Sequence, residues 1–248
     1  MQTRRRIGLI VPSSNTTMET ELPALFRRRE VELPERFSFH SARVAMESVD
    51  AASLTAMNAQ AGRAAGLLAH AGVEVQAYAC LVAIMSQGPG THRSTAAALE
   101  AVAGVPVLSS AGALVEGLRH LGATRVAMIC PYTRPLAETV ITYLASEGIE
   151  VVDHIALGIA DNRAVGALNP DAPARLCTNL DLTHAQAIIA SACVQMPSLA
   201  SVQRIQDRTG LPTLSASVAT AWQLLRSLNL RPTISAAGAL LHVTQDTP

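Results

Sequence analysis

Gly104-Val-Pro-Val-Leu-Ser-Ser-Ala111 returns about 106 residues later as Gly210-Leu-Pro-Thr-Leu-Ser-Ala-Ser217, and each copy runs into an Ala/Leu-rich helical stretch. That offset is far beyond the roughly 20–50 residues of a solenoid repeat, so it points to a duplicated domain. Two further pairs keep the same order. Pro12 and Pro131 each end an aliphatic run, and Tyr78-Ala-Cys80 is answered by Ser191-Ala-Cys193.

Short β-rich runs alternate with helical stretches on either side of these landmarks. In the first half, strands are expected at Arg6–Val11, Val73–Ala79 and Val105–Leu108. Helices are expected from Thr16 onward, with Ser14 or Asn15 as cap, then over Leu54–Ala71, Thr95–Ala103 and Ala113–Leu121. In the second half, strands are expected at Arg125–Cys130, Val151–Ala156 (an edge), Ala185–Ala190 and Leu211–Leu214. The helices there are Leu136–Glu147, Asp171–Leu180, Leu199–Thr209 and Val218–Leu228. Such alternation marks α/β architecture with doubly wound parallel sheets. The expected organisation is two similar domains related by a pseudo-twofold axis. Residues 1–106 plus 216–248 form the first and 107–215 the second.

Composition agrees with a large buried core. Of the 248 residues, 49 % are hydrophobic and 15 % charged, and mean hydropathy is +0.27. Aromatics are only 3 %, so Ala, Val, Leu and Ile must fill the interior, as buried parallel strands require. Nineteen basic residues balance nineteen acidic ones, which leaves no electrostatic footprint for nucleic acid. The runs Arg4–Arg6 and Arg27–Arg29 read as solvated surface. Every basic residue is arginine. Absence of lysine excludes a Schiff-base enzyme and a Walker A loop. No run approaches the roughly 18 apolar residues of a membrane span. Cys80, Cys130, Cys177 and Cys193 form no CxxC pair, and no His pair has ligand spacing. Free thiols in the cytoplasm, with no metal or cofactor, are expected.

Ligands of open parallel sheets bind beyond the carboxyl ends of strands. Four loops fall there: Pro12-Ser-Ser-Asn15, Cys80-Leu-Val-Ala, Pro131-Tyr132-Thr and Cys193-Val-Gln-Met-Pro197. Each half contributes a cysteine at an equivalent strand end, so the two thiols are expected to face one another across the interface. Thiolates are strong nucleophiles, and a cysteine entering a helix is expected to have a lowered pKa. Cys130 and Cys177 read as small core hydrophobes. The Pro12–Thr17 loop has the composition of an anion cradle, and Tyr132 and Asn162 are further candidate donors.

Four segments carry a family likeness. Val11-Pro-Ser-Ser-Asn-Thr-Thr-Met-Glu-Thr-Glu21, Tyr78-Ala-Cys-Leu-Val-Ala-Ile-Met-Ser86, Ser110-Ala-Gly-Ala-Leu-Val-Glu116 and Ser191-Ala-Cys-Val-Gln-Met-Pro-Ser-Leu199 resemble the maleate cis-trans isomerases of the aspartate/glutamate racemase superfamily. The likeness covers nearly the whole chain. It implies two α/β domains with one cysteine from each at their interface, and conversion of maleate to fumarate without a cofactor. It implies Cys80 as nucleophile and Cys193 as proton donor and acceptor. Asn15, Tyr132 and Asn162 correspond to carboxylate ligands, completed by backbone amides at Leu81, Val82, Val194 and Gln195. A small dicarboxylate partner, a homodimer and a place in bacterial breakdown of aromatics such as nicotinate are further implications. Cys130 before the Pro-Tyr turn and Ala160 before Asp-Asn depart from the family pattern. Racemisation of aspartate or glutamate, decarboxylation of an arylmalonate, and non-catalytic dicarboxylate binding are the competing readings.

Overall fold

A computed structural model describes residues 4–242. The first half contains strand β1 (Arg4–Pro12), helix α1 (Met18–Glu32), β2 (Arg36–Val44), α2 (Ala51–His70), β3 (Val75–Tyr78), the short α3 (Leu81–Met85), α4 (Thr91–Ala103), β4 (Val107–Ser109) and α5 (Ser110–His120). The second contains β5 (Arg125–Cys130), α6 (Arg134–Ser146), β6 (Glu150–Ala156), α7 (Asn162–Gly166), α8 (Ala172–Leu176), β7 (Ala187–Ser191), α9 (Leu199–Thr209), β8 (Thr213–Ser215) and α10 (Ala216–Ser227). Two four-stranded parallel sheets result, ordered β2-β1-β3-β4 and β6-β5-β7-β8. The expected doubly wound α/β duplication is therefore present.

Each letter of the repeated segment has a physical task, and both copies perform it. Gly104 and Gly210 close α4 and α9 in the left-handed conformation (φ 68° and 72°), where a side chain would be strained. Their amides donate to Glu100 O at 2.9 Å and Gln206 O at 2.8 Å. Pro106 O and Pro212 O then accept from Gln76 N and Ile188 N, both at 2.9 Å, which starts the edge strand. Leu108 and Leu214 are buried. Ser109 and Ser215 cap the next helices through Gly112 N (3.1 Å) and Val218 N (3.3 Å). Both copies thus build the same edge of equivalent sheets.

Aliphatic residues Ile7, Leu9, Ile10 and Val11 of β1 are fully buried, as are Val126–Ile129 of β5, because helices cover both faces of each central strand. Helices α5 and α10 pack on one another, and α10 also reaches α1, β3 and β4, so the halves share a continuous core. One point corrects the expected division. Strand β4 lies beyond the 106/107 boundary, yet it pairs with β3 in register Gln76↔Val107 and belongs to the first sheet. Residues 1–3 and 243–248 of that division lie outside the described residues.

Strand β2 was not expected. Its sequence, Arg-Phe-Ser-Phe-His-Ser-Ala-Arg-Val, forms a half-exposed edge, not an aliphatic run. Phe37 and Phe39 nonetheless stack edge-on against Phe26 of α1, with ring centroids 4.7 and 5.2 Å away. Short helices α3 and α7 were also unforeseen. No helix among the described residues is long and apolar enough to cross a membrane.

Candidate active site

Both expected cysteines leave β3 and β7, the equivalent third strands of the two sheets. In the first half, Ala79 N donates to Ile10 O at 2.8 Å and holds the chain extended until Cys80, from which α3 starts. In the second, Ala192 N donates to Ile129 O at 2.9 Å. Ser191 Oγ then donates to Cys193 O at 2.8 Å, fixing a tight turn that aims the amide of Gln195 at Cys193 Sγ, 3.4 Å away.

One narrow cleft lies between the halves. Its wall includes Cys80, Leu81 and Val82 from the first half and Cys193, Val194 and Gln195 from the second. Asn15, Tyr132 and Asn162 complete the polar lining, so the structure brings all nine expected site residues together. Pro12, Met46 and Val49 add an apolar wall. Met46 and Val49 were missed because they follow the unforeseen strand β2. Their loop is tied to the site: Met46 N donates to Ser13 Oγ at 3.0 Å, and Ser14 Oγ donates to Met46 O at 2.6 Å. An isolated bridge pairs Ser48 with Asp161 of the other half.

Electrostatics correct one expectation. Entry into a helix was expected to lower the thiol pKa, but burial pushes Cys80 up to about 12, although the Ala83 amide favours its thiolate. Negative charge on Cys193 would raise it further. Burial also raises Cys193, opposed by the neighbouring Tyr132 hydroxyl and by the amides of Gln195 and Met196. Burial therefore favours protonated thiols, and charge on Cys193 disfavours ionisation of Cys80. Cys130 is wholly buried behind them, raised by burial to about 12, and Cys177 is also buried.

Asn15 is fully buried. Its Oδ1 accepts from Met18 N, the first amide of α1, at 3.1 Å, although the cap position itself falls at Thr17 and not at Ser14 or Asn15 as expected, while Nδ2 has no partner. A buried unpaired amide donor costs about 1–3 kcal/mol, so an acceptor in the cavity would be held strongly. Tyr132 Oη donates to Ala192 O at 3.1 Å. Asn162 Nδ2 donates to Ser14 Oγ at 2.7 Å, leaving its second N–H available.

The side chain of Gln195 has a task that sequence reasoning missed. Its Oε1 accepts from Thr16 N (3.1 Å) and Thr17 N (3.3 Å), and its Nε2 donates to Ser14 O and Asn162 O, both at 3.0 Å. Thr17 Oγ1 donates back to Gln195 O at 2.7 Å. The second cysteine's loop is thereby stapled to the asparagine loop of the first half. No sequence signal marks this, since one glutamine carries no periodicity or spacing.

Comparison with known proteins agrees with this geometry. The arylmalonate decarboxylase family model matches residues 7–241. Maleate isomerase of Geobacillus stearothermophilus is 49 % identical over 242 residues, covering 95 % of this chain and 96 % of that protein. The crystal structure of a cysteine-to-alanine variant of Pseudomonas putida maleate isomerase with maleate superposes with a TM-score of 0.95 at 46 % identity, covering 96 % of this chain and 98 % of the other. A cysteine-to-serine variant of the Nocardia farcinica enzyme, with a covalently bound succinylcysteine intermediate, gives 0.93 at 47 % identity, covering 99 % and 100 %. Arylmalonate decarboxylase shares the fold at a TM-score of 0.78 and 21 % identity. With its paired thiols and donors in one cleft, the chain belongs to the maleate isomerases, within the wider arylmalonate decarboxylase family.

Proposed function

We propose that this protein converts maleate to fumarate through a covalent adduct on Cys80. The observation that carries the reading is the convergence of two thiols, one from each half, with amide donors in one cleft. Rotation about the alkene is blocked until its π bond is broken. Cys80 thiolate adds to one alkene carbon, forming a C–S bond, and the π electrons move into the far carboxylate as an enediolate. Cys193 thiol protonates the adjacent carbon and becomes the thiolate. The former double bond is now single and turns, relieving repulsion between the cis carboxylates. Cys193 thiolate then removes that proton, the C=C bond re-forms, and Cys80 leaves as thiolate.

One proton thus moves from the Cys193 sulfur to the substrate carbon and returns, and Cys80 is released as the thiolate that began the cycle, so no net proton, electron or cofactor is consumed. Asn15, Tyr132, Asn162 and the amides of Leu81, Val82, Val194 and Gln195 hold the carboxylates and stabilise the developing charge. Support for Asn15 is its unpaired buried Nδ2. The four free cysteines suit the reducing cytoplasm, where we place the reaction. A homodimer belongs to the same proposal and is tested by light scattering.

The test is proton NMR of maleate incubated with purified, chelator-treated protein. The vinyl signal of maleate should give way to that of fumarate. If instead the protein leaves maleate untouched and racemises aspartate or decarboxylates an arylmalonate, the proposal is wrong.

A further inference from the structure

Glu21 of α1 is a nearly fully buried carboxylate, and no basic side chain pairs with it among the described residues. Burying an unpaired carboxylate is costly, so its partners must be worth keeping. They come from distant parts of the chain. Ser198 N and Leu199 N, entering the first turn of α9 in the second half, donate to Oε1 at 2.6 and 2.7 Å. Ser217 Oγ of α10 donates to Oε2 at 2.5 Å, and Ser198 Oγ does so at 3.4 Å. Burial raises the carboxyl pKa and these four bonds oppose it.

Ser198 stands at the downstream end of the turn that begins with Cys193. Its middle is held by the Gln195 staple and its end by Glu21, both against the first half. Cys80 also belongs to the first half. Any slack at Ser198 would therefore become slack between the two sulfurs. We infer that Glu21 is a positioning residue for Cys193, a carboxylate reaching across the halves to set where the second thiol stands relative to the first. Two adjacent backbone N–H groups share one oxygen, Oε1, so a glutamine could still accept both, and only loss of the whole carboxyl group leaves them unpaired.

The inference rests on the proposed isomerisation, so the test has one readout independent of turnover. In Glu21→Ala, kcat for maleate should fall about 10- to 100-fold, since a misplacement near 1 Å costs about that much, while KM stays within about threefold. Iodoacetamide alkylation, resolved by peptide mass analysis, should change at Cys193 by about threefold or more and hold at Cys80. An unchanged kcat in the folded variant overturns the inference. So does a common shift of kcat, KM and both thiols. Should Glu21→Ala not fold, Ser217→Ala decides: a kcat loss of about two- to fivefold at constant KM supports positioning, and no loss overturns it. If the parent protein itself fails on maleate, the functional reading falls, and the contrast in alkylation between the two thiols still judges Glu21.

Discussion

Gly166→Ala should destabilise this protein, against the usual effect of that substitution. Gly166 ends α7 without a left-handed backbone, so added methyl normally stabilises by about 0.5–1 kcal/mol. Here the new Cβ would lie 2.4 Å from Gln195 Nε2 and 3.0 Å from its Cδ. A free glutamine tip would swing away at little cost. This one is 2 % exposed and held by Thr16 N, Thr17 N, Ser14 O and Asn162 O. Moving it strands the buried amide of Thr17, at about 1–3 kcal/mol, and loses bonds worth about 1 kcal/mol each. Set against the helix gain, the net loss is about 2–3 kcal/mol. For a chain of this size that lowers Tm by about 4–12 °C. Thermal melts of parent, Gly166→Ala, Gln195→Ala and the double variant complete a cycle. In the Gln195→Ala background, Gly166→Ala should become neutral or stabilising. A Gly166→Ala single variant as stable as the parent refutes the staple.

Cys193→Ser should slow maleate turnover while leaving binding intact, and unchanged rates in a stopped-flow assay would remove its acid/base role. Asn15→Ala should weaken substrate engagement by about 1.5–3 kcal/mol, read from KM and from isothermal titration with fumarate. Because burial raises Cys80 to about 12, its thiolate fraction grows with pH from neutral upward, so kcat/KM should climb toward alkaline pH until Cys193 loses its proton or stability fails. A profile already flat below neutrality would contradict the raised values. Glu147, held down to about 2 by hydrogen bonds from Arg93 and Arg119, stabilises the fold above its unfolded value near 4.5. That contribution is lost as pH falls from about 4.5 to about 2, so Glu147→Gln should lower Tm at pH 7 and cease to matter near pH 2.

Much of the fold was legible because Gly104–Ala111 and Gly210–Ser217 encode cap, strand and cap in letters that physics restricts. Arg125–Cys130 and Leu199–Thr209 were expected with the bounds they have, since aliphatic runs and helical periodicity are strong there. Strand β2 was not, because an edge strand with one covered face carries only a weak period of two, broken by Ser41 and Arg43 in the register of Phe37 and Phe39. Helices α3 and α7 are five residues each, too short for a periodic signal. The site's cysteines and donors could be named from strand ends and family likeness. Met46, Val49, the Gln195 staple and Glu21 act through contacts between segments far apart in the chain, which local reading does not register. The raised thiol values were likewise invisible, since burial is a property of the assembled cleft.

Covalent addition through Cys80 is the central claim, and mass analysis of the quenched reaction tests it most directly. Cys193→Ser protein mixed with maleate, denatured and digested, should carry one succinyl group on the peptide containing Cys80, and Cys80→Ala should carry none and be inactive. Turnover by folded Cys80→Ala, or an adduct found on another residue, would contradict the account.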